Sequence, residues 1–170
     1  PLIDGALVPD PYERLLRGEV ARATDDLQGA LEHLAAVSEH SAVSPRARVV
    51  QAEVLRELGR TAEAFALYEA MIQRPDPAPG NAEALLALAR RAGVGSDAAY
   101  AHLRRVWWAY PRSEHSRQAA DLLQAYSGAK YAPTWQEVGL RAERLMDQSA
   151  WLTILHETGA RLAEVEGNGV

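Results

Sequence analysis

His156-Glu157-Thr158-Gly159-Ala160 opens like the zinc-binding pattern His-Glu-x-x-His. That pattern works because two histidines four residues apart share one helical face and grip the metal while the glutamate activates a water. Ala160 stands where the second histidine would have to be, so no metal site is expected. His33, His40, His102 and His115 recur at no fixed interval, and spacing therefore assigns none of them an acid–base partner. A glycosidase needs a protonated glutamic acid inside a sugar cleft. Glu137, Glu143 and Glu157 instead share helical stretches with arginines, where ion pairing is the expected state, and Asp25 and Asp26 read as helix-start charges. Gly93-Val94-Gly95 has neither the lysine nor the preceding strand of a phosphate loop. With no cysteine there is no thiolate nucleophile, thiolate metal site or disulfide. No catalytic residue, metal or cofactor is expected.

Binding chemistry is better represented. Arg104 and Arg105 precede Trp107 and Trp108, and arginine and tryptophan are the residue types that dominate binding hot spots and suit an acidic peptide or a glycan carboxylate. At about 100° per residue, Leu103, Val106 and Tyr110 share one apolar arc with Trp107 at its edge, while Trp108 points away from Ala99. Trp108 is expected to cover the following helix or to serve an interface or a sugar. Arg104, Arg105 and Trp108 are the candidate binding residues; the plainer alternative is two solvated arginines and a packed tryptophan. Trp135 and Trp151 fall where a hydrophobic cluster would cap the last helices or meet another domain.

The elements that must position these side chains follow a period. Ala30, Leu34 and Val37 recur as Ala64, Tyr68 and Met71 and again as Ala99, Leu103 and Val106, at offsets of 34 and 35 residues. Spacings of four and three place each trio on one helical face, with a small residue where a partner helix approaches closely. Ala52, Gly59 and Ala64, then Ala87, Gly93 and Ala99, repeat the order of first helix, turn and close-packed second helix. Pro75 and Pro111 end the second helices because proline cannot continue a helix interior. The pattern predicts helices near 10–22, 24–38, 45–58, 60–74, 80–92, 96–110, 113–126, 134–147 and 149–164. Ser44-Pro45 and Ser96-Asp97 supply starts, and the stretch from Pro75 to Gly80 is a loop.

These residues resemble the tetratricopeptide-repeat (TPR) pattern of stacked helical hairpins. The large aromatic that this pattern sets early in the first helix is missing from 48–51 and 83–86, so the units are TPR-like. The resemblance implies an all-α, right-handed superhelix: one domain over 1–170 with units at 10–40, 45–75 and 80–111, an extra helix at 113–126 and a terminal hairpin at 134–164.

Composition agrees. The 170 residues hold 32 alanines, 21 leucines and one phenylalanine, with no alternating β-branched run, as an all-helical chain would. A net charge of −5, with seventeen arginines and one lysine scattered among acids, lacks the basic stripe of a nucleic-acid binder. No apolar run reaches the ~20 residues that span a bilayer. Pro1 in place of a methionine, with no signal-peptide core after it, reads as a segment of a longer protein.

A narrower likeness lies in the second half. Tyr110-Pro111 with Ser113, then Ala119 and Ala120, then Arg141-Ala142-Glu143 with Leu145, is similar to the α-superhelical region of soluble lytic transglycosylases. In that family the superhelix is non-catalytic and holds a separate lysozyme-like domain near peptidoglycan; the glutamate-serine pair and the Gly-Leu-Met-Gln-type segment of that domain do not occur here. The resemblance implies a periplasmic scaffold that meets peptidoglycan, or the catalytic domain, through a longer parent. The alternative is a TPR-type adaptor that holds a peptide or protein partner in its concave groove.

Overall fold

A computed structural model describes residues 2–3, 6–7, 10–126, 133–147 and 156–157. Among them the chain is all-α apart from one short pairing. Strands β1 (Leu2–Ile3) and β2 (Ala6–Leu7) pair antiparallel with Leu2 opposite Leu7, and eight helices follow. These are α1 (Asp10–Ala23), α2 (Leu27–Ala35), α3 (Ser44–Glu57), α4 (Thr61–Met71), α5 (Asn81–Ala92), α6 (Asp97–Ala109), α7 (Glu114–Tyr126) and α8 (Trp135–Asp147). The first eight predicted helices each have their counterpart, although α2 and α4 stop about three residues earlier than the periodicity implied. The ninth, 149–164, lies outside the described residues except for His156 and Glu157, which are helical. No described helix is long and apolar enough to cross a membrane.

The helix ends have local causes. Asp26 accepts the Gly29 backbone N–H at 2.9 Å at the start of α2, after Asp25 has turned the chain at φ +65°. Ser96 accepts the N–H of Ala99 at 3.1 Å at the start of α6. Thr134 and Glu137 form a reciprocal capping box before α8: the Thr134 N–H donates to the Glu137 carboxylate at 2.7 Å, and the Glu137 N–H donates to the Thr134 hydroxyl at 3.3 Å. Gly59 and Gly93, at φ +77° and +83°, make the left-handed turns that end α3 and α5.

The chain divides into two compact units, Pro1–Leu88 and Ala89–Val170, with the division inside α5. In the first, α1 packs on α2, α2 on α3 and α3 on α4, and α1 also touches α3. One continuous core holds Leu15, Ala30, Leu34, Val50, Val54, Ala64, Tyr68 and Met71. In the second, α6 packs against both α7 and α8. All nine residues of the three periodic trios are buried, with Ala30, Ala64 and Val106 fully shielded. Each buried leucine or valine of this kind is worth about 1.5–3 kcal/mol.

One close approach was hidden in the sequence. A Cβ built on Gly18 of α1 would stand 2.6 Å from Leu34 Cγ and 3.4 Å from the Ala30 carbonyl oxygen. With Leu34 placed as it is, α1 can lie this close to α2 because residue 18 has no side chain. Gly139 of α8, by contrast, has open space where its Cβ would be. Gly18→Ala should lower stability by about 1–3 kcal/mol, overpacking outweighing the gain in helix propensity. Gly139→Ala should raise it by about 1 kcal/mol. Urea unfolding of both variants checks the pair, and a stabilised Gly18→Ala would contradict the tight α1–α2 contact.

Candidate functional site

A heavily connected side chain of the second unit is Arg141, on the buried face of α8 one turn before Leu145. It is 7 % exposed, and each of its five N–H donors has an acceptor. Nε and Nη2 bind the two carboxylate oxygens of Glu157 at 2.5 and 2.7 Å, the bidentate fork that suits guanidinium to carboxylate. Nη1 donates to the Trp107 carbonyl and, at 3.1 Å, to the Ser116 hydroxyl; Nη2 reaches the Pro111 carbonyl at 3.3 Å. The guanidinium also lies 4.5 Å from the centre of the Trp107 ring.

The Trp107 carbonyl belongs to the last turn of α6, where carbonyls lack helical partners and the helix dipole favours a cation. Arg141 thus caps α6 from another helix. Ser116 helps by donating its own hydroxyl to the same carbonyl at 3.2 Å. Ser113 shapes the turn, donating to the Tyr110 carbonyl at 2.8 Å and accepting the Ser116 N–H at 3.0 Å. Tyr110, Pro111, Ser113 and Arg141, residues of one sequence likeness, therefore meet in one knot.

The three candidate binding residues lie close to this knot along α6. Arg104 faces inward: its Nε is 3.3 Å from Glu137 Oε1, and its side chain is 26 % exposed. The pairing expected for Glu137 and Glu157 is present for both. Arg105 and Trp108 are half-buried. The Arg105 charge acts on His102, whose imidazole is held below its ordinary pKa by burial first and by that cation second. His156 is exposed and Glu157 is taken by Arg141. Among the described residues no group of three or more histidine, cysteine or carboxylate side chains stands close enough to hold a metal.

A second constellation, in the first unit, was not anticipated. Arg22, Glu53, Arg56, Glu57, Thr61 and Phe65 line a cleft of about 480 Å³ where α1, α3 and α4 come together. Arg22 binds Glu57 through Nη2 at 2.6 Å and Nε at 3.1 Å, and binds Glu53 through Nη1. The Glu57 hydrogen bond, against some burial, holds the Arg22 guanidinium above its ordinary pKa. Tyr68 lies beneath, its hydroxyl pushed up chiefly by burial and also by the Glu53 charge, with Arg56 acting the other way. The sequence signal for this cleft was arginine at 22 and again at 56, one repeat apart.

Set against protein-family models, curated proteins and solved structures, the chain gives no match to any of them.

Removing the Arg141 side chain takes the fork from the half-buried Glu157 carboxylate and a donor from the Pro111 carbonyl, while Ser116 still serves the Trp107 carbonyl, so Arg141→Ala should cost about 2–4 kcal/mol. Arg141→Lys should recover little, because an ammonium cannot serve acceptors spread around a planar fork. Chemical denaturation followed by tryptophan fluorescence checks both, and a neutral Arg141→Ala would refute the capping role.

His102 makes stability depend on pH. With its folded pKa depressed, the unfolded chain binds the proton first as pH falls. The neutral-imidazole contribution is therefore complete above the unfolded value and is lost on acidification through the folded one. Between about pH 8 and pH 5, the wild type should lose more stability than His102→Gln. Parallel losses in the two proteins would remove this role.

Proposed function

We propose that the chain is a non-catalytic scaffold of superhelically stacked helical hairpins, like the superhelical region of soluble lytic transglycosylases, that faces peptidoglycan within a longer periplasmic protein. One observation carries the reading. Four residues of the likeness fall in one place: the Arg141 guanidinium donates to the Pro111 carbonyl, in the turn that Ser113 and Tyr110 shape, and to the end of α6 at Trp107. That is what a motif of architecture does, and an arginine with all its donors engaged by the protein has none left for a substrate. The buried small-large-large trios in both units are what stacked hairpins require and support the repeat reading.

In this reading Trp108 and Arg105 supply the wall-facing contact, an aromatic face for a sugar ring beside a cation for its carboxylates. Arg104 supports them through Glu137. The second reading, an adaptor for a peptide or protein partner, is favoured by the cleft of the first unit, where paired charges and the Phe65 ring give an extended chain both polar and apolar contacts.

Co-sedimentation with insoluble peptidoglycan sacculi tests the first reading. Wild-type chain should pellet with the sacculi, and Trp108→Ala should reduce the bound fraction several-fold while its helical circular dichroism is unchanged. A folded wild type that stays in the supernatant overturns direct wall binding and leaves the adaptor reading.

A further inference from the structure

Helix α1 carries an apolar stripe on its outer side. Tyr12, Leu16 and Val20, spaced by four, are 47 %, 48 % and 62 % exposed. The Arg17–Glu13 ion pair borders the stripe on one side. One repeat later, 34 residues on, Leu16 corresponds to Val50 and Val20 to Val54, while Tyr12 corresponds to the exposed Arg46 at the helix start; the same step takes Gly18 to Ala52 and Ala30 to Ala64. Val50 and Val54 are 1 % and 0 % exposed. They share one core with Leu31 and Leu34 of α2, and both α1 and α2 pack on α3. The difference between exposed Leu16–Val20 and buried Val50–Val54 is therefore the presence of a preceding hairpin.

A helical array that ends at a given repeat covers its outer side with polar residues, because nothing else shields that face from water. Leucine and valine at 16 and 20 are the residue types of an internal repeat. We propose that the outer face of α1 is built to receive one more helical hairpin of the same repeat, ahead of α1 in the same polypeptide and seated as α1 and α2 are seated on α3. The partner's second helix would bring the face that α2 brings, aliphatic side chains at the positions of Leu31 and Leu34. This inference rests on the repeat reading given under Proposed function.

The experiment uses the full chain with residues 10–43 duplicated in tandem, which keeps the phase because residue 10 corresponds to residue 44. Since the chain has no cysteine, one thiol reports burial. Val20→Cys is introduced into the original chain and into the second copy of the duplicated one, and alkylation rates are compared. The thiol should react at least tenfold more slowly in the duplicated chain, and Leu16→Asp should lower the urea midpoint of the duplicated chain much more than that of the original. Equal alkylation rates overturn the proposal, whether or not the added segment is helical. Protection that grows with protein concentration in the original chain also overturns it, in favour of a second copy on this face. Val54→Cys separates the two readings: a protected thiol there upholds the repeat stack whatever happens at position 20, and a rapidly alkylated one sinks the stack itself.

Discussion

Everything in the first unit depends on how closely two helices can approach. At Gly18 the backbone of α1 comes so near Leu34 that a single added methyl would have to displace that side chain, while the Ala30 carbonyl lies just at contact distance. Close approach lets the large residues of each trio reach past the contact into a common core, so that Leu34, Tyr68 and Met71 are buried together with Val50 and Val54. A larger residue at 18 or 30 would hold the helices apart, and the aliphatic side chains on either side would lose their contacts.

The second unit solves a related problem with charge. The end of α6 and the turn after it leave carbonyls facing inward at Trp107 and Pro111, and buried carbonyls without donors are costly. Arg141 answers them from α8, and Glu157 answers Arg141. Each polar group is affordable only because the next is present. The same economy links Arg104 to Glu137, whose carboxylate also closes the capping box of its own helix.

Much of the architecture was legible in the sequence because it follows from periodicity and end chemistry. Small residues at 30, 64 and 99 foretold the helix contacts, Asp26 and Ser96 foretold helix starts, and Gly59 and Gly93 foretold turns. Gly18 escaped notice because a glycine within a helix reads only as a weak helix former. The two-residue β1–β2 pairing is too short to show any alternation. The candidate site was far less legible. Arg141 has the spacing of a surface charge on an amphipathic helix, and its burial is decided by carbonyls contributed from α6 and the turn after it. Arg104 looks solvated until α8 brings Glu137 to it. Arg22 meets Glu53 and Glu57 across helices more than thirty residues distant in sequence. Local pattern identifies a residue's face, but a charge partner comes from tertiary packing.

The Arg141 knot also has a bearing on the order in which the chain folds. Contacts between neighbouring helices close short loops and are entropically inexpensive. Trp107 and Arg141 are thirty-four positions apart in sequence, and Glu157 is sixteen beyond Arg141. An ion pair that must wait for such distant segments cannot guide the early search, since its guanidinium keeps its hydration until all its acceptors are in place. The knot therefore acts as a final lock, closing on helices that have already found one another through their apolar faces.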